Sequence, residues 1–324
     1  MRVLLTRLSS LGDIVHTLPL AAALRGAGHA VAWVVEPEYV PLLAGAPGID
    51  RVVTAPTRRW RTGPFAASTL AGIRATRDEL RAFGPDAALD PQGLVKSAVW
   101  GWLSGCGRRI GLARRWRRET PAGLFYSETV RPPPEVRHVI DLNLSLLTAL
   151  AIEPPWGEQP DARGLLARPC AAVSGERQAP IVLLPGTGGR RKTWPAARFA
   201  DLARRCASGG IPVVVAWGPG EQEAAELVAR SAGPGVETAP PTTLVELAGV
   251  LAGSAAVAGG DTGPLHLAAA LGVPAVGIYL ATDPARNGPR GPRVRVVRNP
   301  ADAAGPSAEV VMAALVDLLR STSG

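Results

Sequence analysis

Lysine is almost absent from this 324-residue chain, although the chain is strongly basic. Lys96 and Lys192 are the two lysines among 35 basic residues, the others are arginine, and the formal net charge is +8. Such a charge favours an anionic partner. Because arginine replaces lysine nearly everywhere, each surviving lysine is a candidate for a site that needs a compact, mobile point charge. Chance survival is the alternative for both.

Other missing features exclude whole classes of protein. No apolar run approaches the ~18–20 residues of a membrane span, and the N-terminus lacks the ordered segments of a signal peptide. Cys106, Cys170 and Cys206 lie far apart without metal-ligand spacing, so we expect free thiols in a reducing cytoplasm. No nucleic-acid motif is present, so we expect no nucleic-acid partner. A phosphorylated ligand or an anionic membrane face fits the charge instead.

The first half of the chain alternates between strand and helix patterns. Apolar runs predict strands at 2–6, 30–35, 51–54 and 86–90. Helical spacing predicts helices at 13–26, 66–83, 93–104 and 137–151. The segment 153–169, rich in proline, glycine and polar residues, is predicted to be a linker.

The second half repeats the alternation. Strands are predicted at 181–185, 211–218, 255–259 and 275–280, and helices at 196–208, 221–232, 243–252, 264–271 and 307–320. Alternating units of this kind imply parallel sheets with helices on both faces. We therefore predict an α/β protein of two Rossmann-like, doubly wound domains, 1–160 and 170–306, facing across a cleft. Ligands are expected beyond the carboxyl ends of the strands.

Two loops of the second half collect groups that suit a diphosphate. The loop "LLPGTGGRRKTWP" supplies Thr187, Gly188 and Lys192, which offer a hydroxyl, backbone amides and an ammonium group. Its spacing is not that of a Walker loop. The stretch "GGDTGPLHLAAALG" follows a strand and opens a helix, whose free N–H groups and dipole favour an anion. Thr262 and His266 lie at that helix start.

Two acidic positions of this half have competing explanations. Asp261 ends a strand, where it can orient a ligand hydroxyl, and a turn-forming role explains it equally well. Glu221 stands at a helix start, where a carboxylate can accept both hydroxyls of a ribose or can simply favour the helix dipole. Glu223 is close enough to compete with Glu221 for the ribose.

Asp13 occupies an unexpected place in the first half. It lies in "RLSSLGDIVHTLP", in the turn between the first strand and the first helix, where nucleotide-binding domains often hold a phosphate. A carboxylate would repel a phosphate. If the nucleotide binds to the second domain, Asp13 is free to act as a general base on an acceptor hydroxyl.

Further polar groups of the first half are predicted to face the same cleft. The strand end "DPQGLVKSA" places Asp90, Gln92, Lys96 and Ser97 there. "TRRWR" at 57–61 and "RRWRRE" at 114–119 add dense arginine, whose guanidinium forks bind phosphate and carboxylate in a bidentate manner. The two segments therefore predict a clamp for an anionic acceptor. Solvated basic surface is the alternative.

Taken together, these motifs resemble those of the lipopolysaccharide heptosyltransferases, a family of glycosyltransferases. The resemblance runs over nearly the full chain and is carried by "RVLLTRLSSLGDIVHTLP", "RRWR", "DPQGLVKSA", "LFYS", "RRKTWP" and "DTGPLHLAAALGVPAVGIYLATDP". It implies a GT-B fold with the acceptor on the first domain and the nucleotide sugar on the second. It also implies that the last helix, 307–320, packs back on the first domain.

The resemblance also implies roles for individual residues. Asp13 matches the catalytic base, and Lys192 matches the lysine that binds the donor phosphate and assists catalysis. The implied donor site comprises Thr187, Gly188, Lys192, Glu221, Asp261, Thr262, Gly263 and His266. The implied acceptor site comprises Ser10, Gly12, Arg59, Arg61, Gln92, Lys96 and Arg118.

The implied reaction is an inverting transfer of heptose from ADP-heptose to the Kdo of a Kdo-lipid A acceptor. We expect a monomer at the anionic cytoplasmic face of the inner membrane. We expect no cofactor, and no metal because no acidic pair for a diphosphate-bound cation is visible. One alternative is a related transferase that uses another nucleotide sugar or a later core acceptor. A nucleotide-binding oxidoreductase is another, but G-x-G-x-x-G is missing after either first strand. A non-catalytic binding module is the third.

Overall fold

The computed structural model describes residues 1–165, 178–187, 189 and 192–321 of the chain. The chain divides into two compact units, Met1–Glu158 and Gln159–Gly324. Gly188 and Cys170, about which the sequence analysis makes predictions, lie outside the described residues.

The first unit contains six parallel strands with helices between them. The strands are β1 (Arg2–Thr6), β2 (Ala30–Val35), β3 (Arg51–Thr54), β4 (Ala87–Asp90), β5 (Arg108–Leu112) and β6 (Glu128–Val130). The helices are α1 (Leu11–Val15), α2 (Leu18–Gly26), α3 (Val40–Leu43), α4 (Thr57–Trp60), α5 (Ala67–Phe83), α6 (Val95–Leu103) and α7 (Val139–Leu144). Short 3₁₀ segments lie at Pro37–Tyr39, Thr120–Phe125 and Ser145–Leu150.

The second unit has the same plan. Its strands are β7 (Ile181–Leu184), β8 (Val213–Val215), β9 (Val236–Thr238), β10 (Ala256–Gly260), β11 (Ala275–Ile278) and β12 (Val294–Val297). Its helices are α8 (Ala196–Ser208), α9 (Gln222–Ala232), α10 (Leu244–Ala252), α11 (Gly263–Ala270), α12 (Pro284–Asn287) and α13 (Ala308–Arg320), with a 3₁₀ turn at Arg163–Leu165.

The two sheets have the same strand order. It is β3-β2-β1-β4-β5-β6 in the first unit and, read from the opposite edge, β9-β8-β7-β10-β11-β12 in the second. In each unit the chain changes direction across the sheet after its third strand, so the switch point lies between the first and fourth strands. Ligands of doubly wound sheets bind at the carboxyl ends of the strands near this point. The predicted α/β class with two Rossmann-like sheets is confirmed.

Apolar strands and helix faces form the cores. In the first unit Leu4 of β1 pairs with Ala32 on one side and Ala88 on the other, and all three are buried. In the second unit Trp194 and Phe199 meet edge to face with ring centroids 4.7 Å apart. Because both faces of these parallel sheets are covered, the central strands are almost wholly apolar.

The single helix predicted over 13–26 is instead two helices. α1 ends at Val15 and α2 begins at Leu18, with Pro19 in its first turn. Proline has no amide hydrogen to continue the helical ladder, but it is well accommodated at a helix start. The helix predicted over 137–151 is α-helical only to Leu144 and continues as a 3₁₀ segment.

The last helix differs from its predicted position. The sequence analysis predicts that 307–320 packs on the first domain. In the structure Val311, Leu315 and Leu318 of α13 are buried in the core of the second unit. α13 packs there on α8 and on β10, β11 and β12. Its apolar stripe therefore completes the second unit.

Candidate active site

Asp13 lies at the carboxyl end of the first sheet, held by two arginines. Arg7 Nη2 donates to Asp13 Oδ1 at 2.6 Å. Arg118 Nη2 lies 3.2 Å from Oδ1 and 3.4 Å from Oδ2. Ser10, the residue that precedes α1, donates from its backbone N and its hydroxyl to Asp13 Oδ2, both at 3.3 Å. The carboxylate is thus fixed by charge and by the start of its own helix.

The two arginines are held differently. Arg7 follows β1 directly and its side chain is only 1% exposed, whereas the Arg118 side chain is 52% exposed. Arg7 also donates from Nη1 to the Pro91 carbonyl at 2.7 Å, and its own carbonyl accepts from Trp33 Nε1. Arg7 is therefore a fixed partner of Asp13, and Arg118 reaches it from the solvent side.

Arg7 is a site residue that the sequence analysis missed. A lone arginine directly after a buried apolar strand was the available signal, because a charged side chain there must find a partner inside the protein.

The ionisation of Asp13 follows from these contacts. Burial alone would raise the pKa of the Asp13 carboxyl, but the positive charges of Arg7 and Arg118 and the hydrogen bonds from Ser10 outweigh burial. The pKa of Asp13 therefore lies below its ordinary value. The side chain is a carboxylate at neutral pH and can accept a proton.

The Gln92 side chain bonds to the backbone that precedes α1. The sequence analysis places its amide on the acceptor. In the structure Gln92 is buried, accepts from the Leu8 backbone N–H at 2.8 Å and donates to the Ser9 carbonyl at 3.2 Å. These bonds tie the Gln92 amide to the backbone between β1 and α1, close to Asp13, and its contact with the acceptor stays a prediction.

The remaining predicted acceptor residues lie at the same end of the first sheet. Arg59 and Arg61 are exposed at the end of α4, and Lys96 is half-buried in the first turn of α6. Burial lowers the pKa of Lys96, and the nearby charges of Arg58 and Arg61 lower it further. Gly12 is buried within α1. The structure thus brings Lys96 near Arg61, and brings Arg118 onto Asp13.

A second charged cluster lies at the carboxyl end of the second sheet. Lys192 Nζ donates to Asp261 Oδ2 at 2.6 Å, although the two residues come from the loops after β7 and β10. Thr187 Oγ1 lies 2.7 Å from Thr193 Oγ1. A Cβ on Gly260 would lie 2.7 Å from Thr187 Cγ2, so glycine permits the close approach of the two loops. Thr187, Lys192 and Asp261 are therefore neighbours, as a shared ligand requires.

The start of α11 adjoins this cluster. Thr262 precedes Gly263 at the helix start and its hydroxyl makes no capping bond. His266 is buried, with Nε2 at 3.4 Å from Asp261 Oδ1. Burial alone would raise the pKa of Asp261, but the contacts with His266 and Lys192 outweigh it and hold the pKa well below its ordinary value. Uncommitted N–H groups at a helix start and a nearby ammonium make an anion site.

Asn287 is a second residue that sequence reasoning missed. It ends α12, and its Nδ2 lies 3.2 Å and 3.1 Å from the two Asp261 oxygens. Its stretch, "RNGPRGPR", carries no pattern that links it to a residue far back in the chain, so the sequence offered no signal.

Glu221 and Glu223 differ in position. Glu221 Oε2 accepts from Gly218 N at 2.9 Å, and a Cβ on Gly186 would lie 1.9 Å from the same oxygen. The Glu221 carboxylate therefore lies against the loop that carries Thr187. Glu223 is exposed in the first turn of α9. The geometry favours Glu221 as the carboxylate that faces a ligand of this loop.

No helix in the described ranges combines the length and the apolarity needed to cross a bilayer. No group of three or more histidine, cysteine, aspartate or glutamate side chains in these ranges is arranged to hold a metal ion. Transfer without a metal stays a prediction.

Comparison with known proteins identifies the family. The family model described as "Glycosyltransferase family 9 (heptosyltransferase)" matches residues 73–313. The chain belongs to glycosyltransferase family 9. A family 9 member is an enzyme that transfers a sugar, so the oxidoreductase and the non-catalytic binding module are set aside.

Individual family 9 members resemble the chain over most of its length. Lipopolysaccharide heptosyltransferase 1 of Escherichia coli strain K12 is 34% identical over 93% of this chain and 94% of its own. Lipopolysaccharide heptosyltransferase 1 of Pseudomonas aeruginosa is 36% identical over 90% of this chain and 82% of its own. The solved E. coli heptosyltransferase WaaC with ADP is 31% identical, with a TM-score of 0.86 over 98% of this chain and all of that chain. The expected GT-B fold is confirmed.

Proposed function

We propose that this glycosyltransferase transfers heptose, with inversion, from ADP-heptose to the Kdo of a Kdo-lipid A acceptor. The observation that carries the proposal is the ionised Asp13 carboxylate at the carboxyl end of the first sheet, between one fixed and one half-exposed arginine. Relatives at 34% and 36% identity that are named lipopolysaccharide heptosyltransferase 1 support the sugar and the acceptor class. The solved WaaC structure with ADP supports the nucleotide.

In the proposed mechanism Asp13 acts as the general base. As the acceptor hydroxyl attacks the anomeric carbon of the donor from the face opposite the leaving group, its proton passes to an Asp13 oxygen. The bond from the sugar to the diphosphate breaks, and ADP leaves with the electron pair. Because the pKa of Asp13 is lowered, the carboxylate is always ready to accept a proton, but it is a weak base. Efficient transfer then requires the proton to move as the new bond forms.

The second unit is proposed to stabilise the leaving ADP. The Lys192 ammonium would bind a diphosphate oxygen, and the N–H groups of Thr262 and Gly263 would hold another at the start of α11. Glu221 would bind the ribose hydroxyls. Lys192 is one-third exposed and bound to Asp261, so its ammonium would have to be shared between Asp261 and the diphosphate.

The acceptor is proposed to bind through its anionic groups. Its phosphate and carboxylate groups would bind to Arg59, Arg61, Lys96 and Arg118.

The proposed membrane contact lies next to these arginines in the sequence. Phe65, beyond the arginines of α4, is 90% exposed. An exposed aromatic ring beside several arginines suits the interface of an anionic membrane, so we place the peripheral membrane contact at this loop. We propose a cytoplasmic monomer that binds the inner membrane there.

A transfer assay tests the proposal. The purified protein is given a panel of nucleotide sugars and a heptose-deficient Kdo-lipid A acceptor. The proposal expects product only with ADP-heptose, and product from that acceptor in preference to one that already carries a first heptose. Preference for the heptose-bearing acceptor would instead identify a later core transferase, and turnover of another nucleotide sugar would change the donor.

A further inference from the structure

We propose that the turn Asp90–Gly93 is the positioning element for the base of this reaction, because it holds both arginines that bind Asp13. Asp90 and Gln92 are its positioning residues, neither of which touches the reacting atoms. The inference rests on the proposed role of Asp13, but its central measurement does not depend on turnover.

Asp90 anchors the turn. It is the last residue of β4 and is only 4% exposed. Its Oδ1 accepts from Gln92 N at 2.9 Å and from Gly93 N at 3.1 Å. Its Oδ2 accepts from Ser97 Oγ at 2.9 Å and from Tyr126 Oη at 2.8 Å. Four uncharged donors thus fix this buried carboxylate and the turn that follows it.

One side of the turn holds the segment of Arg7. The Pro91 carbonyl accepts from Arg7 Nη1 at 2.7 Å. The Gln92 amide bonds to the Leu8 N–H and to the Ser9 carbonyl, in the segment that leads into α1. The turn therefore fixes the guanidinium group and the backbone that carries it.

The other side of the turn holds the segment of Arg118. Gly93 has a φ of 68°, and a Cβ there would lie 3.0 Å from Arg117 Cβ and 3.1 Å from Arg118 N. The Gly93 carbonyl accepts from Glu119 N at 2.9 Å, and the Glu119 carboxylate accepts from Val95 N at 2.8 Å. Only glycine allows this segment to pack so closely on the turn in this backbone conformation.

The charge around Asp13 is thereby set by one turn. The charged groups that act on its carboxylate are Arg7, from the end of β1, and Arg118, from the loop after β5, with Ser10 donating from its own helix start. The charge of Asp90 also acts on Arg7. Displacing either arginine would remove positive charge from the Asp13 carboxylate, and its pKa would rise.

Two variants test the two sides of the turn. Gln92→Leu removes the amide that holds the Arg7 segment, and Gly93→Ala pushes on the Arg118 segment. Full-length protein labelled with ¹³C at the aspartate carboxyl is titrated by NMR, and the Asp13 signal is assigned by its loss in Asp13→Asn. In each variant we expect the Asp13 midpoint to rise by at least about half a pH unit. Turnover should fall while ADP affinity stays unchanged.

Ser104→Ala is the matched control. It removes a buried hydroxyl that donates to the Gly101 carbonyl at 2.7 Å, at the far end of α6 from Asp90. Its Asp13 midpoint should equal that of the parent. If either main variant fails to fold, Tyr126→Phe replaces it, because it keeps the ring and removes one donor from Asp90.

The outcomes separate this inference from the proposed function. Unmoved Asp13 midpoints in the folded turn variants would overturn the positioning role, whatever the turnover. A midpoint that moves as far in Ser104→Ala would show a general loss of packing and would overturn it too. If the midpoints rise but Asp13→Asn keeps normal turnover, the positioning role stands and the base assignment is wrong.

Discussion

The two units place an aspartate at the same point of the same topology and use it differently. Asp90 ends the fourth strand of the first sheet, and Asp261 directly follows the fourth strand of the second. Both are buried. Asp90 is surrounded by uncharged donors, so burial prevails and raises its pKa. Asp261 meets Lys192 and His266, so its pKa is lowered despite burial.

The difference shows that position in a doubly wound sheet marks where a polar residue is useful but does not fix its role. Asp90 supports the loops around it, and the carboxylate that we propose as the base, Asp13, lies in the turn after the first strand instead. In the second unit the fourth strand carries the charged cluster itself. The charge of the partners, which come from other parts of the chain, decides whether the pKa of such a buried aspartate is raised or lowered.

The largest effect on transfer is expected from removal of the Asp13 carboxylate. Asp13→Asn should lower the transfer rate by about 10²- to 10⁴-fold, the usual contribution of a general base, and leave ADP affinity unchanged. Steady-state kinetics and calorimetry with ADP measure the two effects. Asp78→Asn, on the exposed face of α5, is the control for loss of an acidic charge. Retention of more than a tenth of normal turnover in Asp13→Asn would contradict the base role.

The next largest effect is expected from removal of the Lys192 ammonium group in the second unit. Lys192→Ala should weaken ADP binding by ~1.5–3 kcal/mol, the contribution of a hydrogen bond to a charged group, which is roughly 10- to 150-fold. Lys192→Arg should restore binding only in part, because a guanidinium fork is not a compact point charge. Lys96→Ala is the matched control, since it removes the other lysine, in the first unit. Unchanged ADP affinity in Lys192→Ala would assign Lys192 to the surface.

The opposite pKa shifts of the two aspartates predict opposite trends of stability with pH. The pKa of Asp261 is lowered in the folded protein. Its carboxylate therefore stabilises the fold at pH values above the ordinary aspartate pKa, and this stabilisation is lost as the pH falls from there towards the lower pKa of the folded state. Asp90 has a raised pKa, so its contribution grows as the pH falls through its folded value. Relative to the parent, the destabilisation by Asp261→Asn should shrink between pH 7 and pH 3, whereas that by Asp90→Asn should grow.

Urea unfolding at several pH values measures both trends. Each pKa unit of difference between the folded and unfolded states corresponds to ~1.4 kcal/mol. Parallel trends in the two variants would show that the two sites do not differ in the way their contacts indicate.

The smallest effect is expected at the exposed arginines. Arg59→Ala or Arg61→Ala should raise the acceptor KM about two- to fivefold, because exposed ion pairs contribute ~0.2–1 kcal/mol each. ADP affinity should not change. A deacylated, water-soluble acceptor without membranes makes the test specific, and Arg74→Ala on α5 controls for loss of one surface charge. Parent-like kinetics in this assay would reassign these arginines to contact with lipid.

Much of the fold was predictable because central strands are apolar and their patterns are local. Strands β5, β6, β9 and β12 were not predicted. β6, β9 and β12 lie at sheet edges and carry polar or exposed residues, so they lack an apolar run. β5 begins with Arg108 and Arg109, whose side chains bond to Glu128 and to the Phe125 carbonyl.

The site residues also fall into those that the sequence could predict and those that it could not. Asp13, Lys192 and Asp261 could be singled out because each is a polar residue in a turn or loop that follows a predicted strand. The contacts of Gln92 and Asn287 are with residues far along the chain, for which the sequence has no local sign, whereas Arg7 carried a local sign that the sequence analysis missed. The packing of α13 could not be read from the sequence either, since its apolar stripe fits any sheet face of suitable shape, and the expectation for it came from the family resemblance alone.

The position of α13 has a consequence for dissecting the protein. The helix supplies Val311, Leu315 and Leu318 to the core that also contains Phe199 and Ile278. The segment 159–324 therefore holds both the first and the last pieces of its own core, in one uninterrupted stretch of chain. A gene fragment encoding this stretch is a rational unit to express by itself and to test for the proposed ADP binding, whereas one that stops before residue 308 would leave a sheet face uncovered and would be prone to aggregate.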